Sequence, residues 1–89
     1  MRNSIDGYLS RRYNLFYRMA ESLNWECSYA IALELKRLHP QVDLHAVSLN
    51  MIYNWTLALA GFEDDPALAN DEILAAIYQD WFEETLHEQ

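Results

Sequence analysis

Apolar residues recur along this chain at helical rather than alternating spacing, and the stops between the runs are sharp. From about Glu26 to Leu38 the apolar positions Ile31, Leu35 and Leu38 fall four and three apart, the signature of one buried helix face. Asn24 offers an N-cap, Lys36, Arg37 and His39 place positive charge in the last turn, and Pro40 ends the helix. Asp43 then opens a short helical turn, and Val47, Ser48 and Leu49 read as briefly extended. A second helix is predicted from Met51 to Ala60, capped by Asn50, with Ile52, Trp55, Thr56 and Leu59 on one face. Gly61 stands where a left-handed C′ residue would close it, and Phe62 is expected to fold back on the core. Asn70 caps a third helix, with Asp71 and Glu72 favourably placed in its first turn and Ile73 or Leu74, Ile77 and Trp81 facing inward. The prediction is a mainly all-α domain of three helices.

Ahead of it lies a segment of different character. Leu9, Tyr13, Phe16 and Tyr17 have helical spacing, although Gly7 weakens the start. Residues 1 to 18 carry Arg2, Arg11, Arg12 and Arg18 against Asp6 alone, whereas residues 19 to 89 carry thirteen acids against Lys36 and Arg37. The charge break divides the chain into an N-terminal extension, 1–18, and a domain, 19–89. So acidic a domain repels phosphates and suits basic protein surfaces or cations. Nucleic acid is therefore not an expected partner: the second helix, 51 to 60, holds no Lys or Arg, so a DNA-binding regulator would have to rely on the Arg-rich arm. No apolar run reaches the eighteen residues of a membrane span, and no apolar stretch follows the first arginines as in a signal peptide. The single cysteine, Cys27, excludes an internal disulfide and suits a reducing, cytoplasmic setting.

Catalytic chemistry finds no support. Cys27 has Glu26 as its neighbour rather than a base or cation, and His39, His45 and His87 lack metal-ligand spacing. The densest polar feature is the carboxylate run Glu63, Asp64, Asp65. Oxygen clusters of this kind hold hard cations, but the same run also suits a solvated cap and turn. Trp25, Trp55 and Trp81 lie at core-phase positions and read as packing residues.

That run belongs to a longer pattern. Phe62-Glu63-Asp64-Asp65-Pro66 is followed by Asn70-Asp71-Glu72-Ile73-Leu74 and then Trp81. Upstream, in the same register, stand Leu23 and Trp25, Ile31 and Leu35, Pro40 and Asp43, and Trp55. From about residue 22 to 85 the chain resembles the IscX family, acidic accessory proteins of bacterial iron–sulfur cluster assembly. The resemblance implies a modified winged-helix arrangement and a cytoplasmic adaptor, not an enzyme, that docks on the basic surface of the cysteine desulfurase and competes there with frataxin and the scaffold. The residues it points to are Glu63, Asp64, Asp65, Asp71 and Glu72, extended by Asp80, Glu83 and Glu84. It also raises weak Fe²⁺ binding by Glu63, Asp64 and Asp65, with no tightly bound cofactor. The chain departs from the family where members carry further acids or a histidine: Cys27, Ala30, Met51, Tyr53, Ala58, Ala60 and Gly61 stand there instead. The resulting apolar surface suits a partner, the N-terminal segment or self-association of an otherwise monomeric protein, and it keeps open a helical interaction module without the iron role.

Overall fold

The computed structural model describes residues 22–87, so the Arg-rich segment and its boundary at Met19 lie outside the described residues. Three α-helices follow one another: α1 (Ser28–Leu38), α2 (Leu49–Leu57) and α3 (Asp71–His87). Single 3₁₀ turns join them at Leu44–Ala46 and Pro66–Leu68. The described residues form no strand and hence no hairpin wing, and extended pairing is confined to one parallel bridge between Leu23 and Phe62.

Each helix buries one stripe. Ile31, Ala32 and Leu35 come from α1, Ile52 and Thr56 from α2, and Leu74, Ile77 and Trp81 from α3, joined by Leu23, Trp25, Leu44 and Leu59 from the connections. The buried stripe of α1 is centred towards Ala32, so Leu38, expected inside, lies beyond its edge and is 49% exposed. Trp55 likewise sits at the margin of the α2 stripe, half-buried, with the His39 ring stacked on it at 4.0 Å.

The helix starts differ from the sequence reading. Asn24 does not cap α1. Its side-chain oxygen accepts from the Glu26 N–H at 2.9 Å in a local turn, and α1 begins two residues later than expected with Cys27 at the N-cap, making no side-chain cap bond. α2 starts earlier than predicted because Ser48, not Asn50, is its cap. The Ser48 hydroxyl accepts from Met51 N–H at 3.1 Å, and the Met51 sulfur accepts from Ser48 N–H at 3.4 Å, closing a capping box with a thioether in place of the usual carboxylate or amide. The same helix stops at Leu57 rather than Ala60, and Gly61 does not adopt a left-handed conformation. Its carbonyl instead accepts from Leu23 N–H at 2.7 Å, where the two chain segments meet. Asp43 and Asn70 perform as expected: Asp43 caps the first 3₁₀ turn, and Asn70 accepts from Ile73 N–H at 2.8 Å at the head of α3.

Candidate functional site

The acidic run is a strap rather than a free loop. Leu23 N–H donates to Gly61 O, and Glu63 N–H donates back to Leu23 O at 2.8 Å. Asp64 extends this clamp with its side chain: Oδ2 accepts from Trp25 N–H at 2.9 Å and Oδ1 from Asp65 N–H at 2.7 Å. The Trp25 indole N–H donates to the Asp65 carbonyl at 2.9 Å, and the ring lies edge-on to Phe62 and stacks on Tyr53. Asp65 turns its carboxylate to Ala67 N–H, capping the Pro66–Leu68 turn. Both aspartates of the motif thus satisfy backbone donors that the sharp turn leaves unpaired. Glu63, beside them, is exposed.

The acids of α3 divide by helical phase. Asp80 and Glu84, four apart, point to the start of α1: Ser28 Oγ–H donates to Asp80 at 2.8 Å and Tyr29 O–H to Glu84 at 2.9 Å. The first turn of α1 has no acid of its own, so these carboxylates supply the negative charge that complements its amino end. Glu72 and Glu83 share the outward phase and are both exposed, Glu83 accepting from Gln79 Nε2. Asp71 is exposed at the first turn. From Asp71 to Glu84 the axis advances about 20 Å at 1.5 Å per residue, so the eight nominated acids form an extended field, not one cluster.

Among the described residues no group of three or more His, Cys, Asp and Glu side chains is placed to hold a metal ion. Both Asp64 oxygens and one Asp65 oxygen accept backbone N–H donors, so these two carboxylates serve the turn in this structure. The positions where acids give way to apolar residues also serve packing: Cys27, Ala30 and Tyr53 are half-buried against the core, whereas Ala58 and Ala60 are exposed.

Residues 22–87 hold eleven carboxylates against Lys36 and Arg37. Both cations line an open groove of about 600 Å³ between the ends of α1 and α3 and the first 3₁₀ turn, with His39, His45, Trp81 and Phe82. Along α1 they lie about 13 Å from the Cys27 end. Arg37 pairs with Glu34 at 2.8 Å, a hydrogen bond that, with the charge attraction behind it, raises the guanidinium pKa. The sequence reading missed this groove, although the confinement of both cations to neighbouring positions was a signal of it.

The sequence model for iron–sulphur cluster assembly proteins matches residues 23–86. The chain belongs to the IscX family. The match begins at Leu23, the first residue of the clamp, and ends at Leu86 near the end of α3, so it covers the whole three-helix unit. Membership places the protein in iron–sulfur cluster assembly, in a family of accessory proteins rather than a known enzyme family. None of the described helices is long and apolar enough to cross a membrane.

Proposed function

We propose that this IscX-family protein is a cytoplasmic adaptor that binds the cysteine desulfurase of the cluster-assembly system through its outward carboxylates. The observation that carries the reading is the family match over 23–86, combined with a carboxylate excess in which the exposed Glu63, Asp71, Glu72 and Glu83 accept from no backbone donor among the described residues. An acidic domain seated on a basic patch acts by occupancy. It excludes other accessory proteins from the same patch and so modulates sulfur delivery without chemistry of its own. Asp64, Asp65, Asp80 and Glu84 add to the field but have internal partners, so their part in docking is electrostatic rather than by direct contact. Iron enters this reading only as a weakly held ion on the exposed acids.

The test is binding to the desulfurase with Glu72→Lys and Glu83→Lys, two outward positions on one helix face. Surface charges lose contact as the Debye length falls from about 10 Å at 0.1 M salt to about 3 Å at 1 M. Affinity should therefore drop steeply with salt and with the double reversal, while the circular dichroism spectrum stays unchanged. Binding insensitive to salt, or no binding even at low salt, refutes the proposal.

A further inference from the structure

Beside the start of α1 lies a second hollow, of about 370 Å³, walled by Ser22, Leu23, Glu26, Cys27, Tyr29 and Ala30. Its apolar content is incompletely covered: Tyr29 is 47% exposed, and Cys27 and Ala30 are half-buried. Glu26 lies on its wall, and Asp80 and Glu84 adjoin it through Ser28 and Tyr29, while both described Lys and Arg residues lie at the other end of α1. Ser22 itself forms part of the wall, so the chain that precedes the domain leaves from this hollow.

We propose that residues 1–21 bind back into this hollow and cover the neighbouring acidic face. The segment has the complementary chemistry. Arg2, Arg11, Arg12 and Arg18 face only Asp6 and Glu21, and Leu9, Tyr13, Phe16 and Tyr17 recur at spacing that gives one apolar stripe on a helix. The tether is short. Arg18 lies four residues from Ser22, within about 14 Å along an extended chain, and Phe16 within about 22 Å. A ligand tethered this closely acts at millimolar effective concentration, so even a weak contact is populated. The aromatic side chains fill the hollow, and the arginines approach Glu26, Asp80 and Glu84. Covering this face lowers the affinity for a basic partner, a regulatory consequence that rests on the function proposed above. The docking itself does not rest on it.

Cys27, the chain's sole cysteine, reports the contact directly in the full-length protein. Its alkylation by an uncharged maleimide is compared in wild type, in R11E/R12E/R18E, and in F16S/Y17S, which keeps the arm's charge. Among the described residues the core begins at Leu23, and all of these changes lie ahead of it. If the arm occupies the hollow about nine-tenths of the time, both variants react about tenfold faster than wild type. Molar salt then brings the wild-type rate up towards them. Added negative charge disfavours a thiolate, so a field effect alone would slow the triple variant, and faster reaction diagnoses uncovering. Equal rates in all three proteins overturn the docking. Protection that grows with protein concentration also overturns it, by placing a second copy in the hollow. Faster alkylation with unchanged desulfurase affinity sustains the docking and overturns the regulatory consequence.

Discussion

Replacing Asp64 by alanine tests whether the acidic motif is built into the fold. The side chain accepts two backbone N–H groups, and their environments differ. Trp25, the donor to Oδ2, is only 4% exposed, so water does not readily replace the carboxylate there, whereas Asp65 is exposed and its N–H is easily solvated. A hydrogen bond to a charged group contributes about 1.5–3 kcal/mol, and a buried donor left unpaired costs about 1–3 kcal/mol, two descriptions of the same loss rather than terms to be added. The expected destabilisation by Asp64→Ala is therefore about 2–3 kcal/mol. For a domain of this size that lowers Tm by about 10–20 °C, a large part of the total stability. Asp64→Asn keeps one acceptor oxygen and should cost about 1 kcal/mol, and Glu63→Gln, at an exposed neighbour, should stay within about 0.5 kcal/mol.

Urea and thermal unfolding followed by circular dichroism give these differences, and amide exchange locates them. The Trp25 amide should exchange faster in Asp64→Ala, while the amides of α3 change only through global stability. An Asp64→Ala protein as stable as Glu63→Gln would refute the clamp and return Asp64 to the exposed field. The same geometry makes Asp64 and Asp65 poor sites for charge-reversal tests of partner binding, because lost docking could not be separated from a lost turn.

Thr56 is fully buried, and its hydroxyl has no hydrogen-bond partner among the described residues. Thr56→Val keeps the β-branched shape and removes the orphan, so Tm should rise by about 4–8 °C for about 1 kcal/mol; a fall would show that the hydroxyl is satisfied. Met51→Glu places a stronger acceptor opposite Ser48 N–H and a negative charge at the start of α2, and urea unfolding should show a gain of about 0.5–1 kcal/mol, whereas a loss would mean that the thioether packs better than it accepts. Calorimetric titration with Fe²⁺ should show weak binding, comparable to that of other divalent ions, and one tight iron-selective site would overturn the account of the strap.

The order and number of helices were legible because the spacing of Ile31 and Leu35, Ile52 and Thr56, and Leu74, Ile77 and Trp81 reflects helical phase, which survives without tertiary information. The starts were less so. Ser48 and Asn50 are both good caps, and the choice between them rests on a reciprocal contact from Met51 that no ordinary capping-box pattern includes. Gly61 matched a left-handed helix end, but the need it meets is close backbone approach to Leu23, a contact between distant parts of the chain. Leu38 had the right spacing and the wrong flank, because the width and centre of a buried stripe depend on the neighbouring helices. The acidic residues stand out in the sequence as a run and a helix series, but their division into inward and outward members was not legible. That division depends on where Trp25 and the start of α1 come to rest.

It also alters what the Phe62–Pro66 motif implies. A run of carboxylates in a small acidic protein suggests a cation site, whereas the apolar residues at Cys27, Ala30, Met51 and Tyr53 argue against one. The conflict disappears once Asp64 holds Trp25 and Asp65 caps the following turn, since both acids are then required by the backbone whether or not iron is bound. A chain can therefore keep the motif while replacing acids elsewhere, because the two sets answer to different physical demands. Glu63, Asp71, Glu72 and Glu83 are exposed instead, Asp71 and Glu72 adding favourable charge at the start of α3 and Glu83 a contact with Gln79. Substitution at these exposed positions therefore leaves the helices in place, whereas loss of Asp64 removes the acceptor that holds the buried Trp25 N–H.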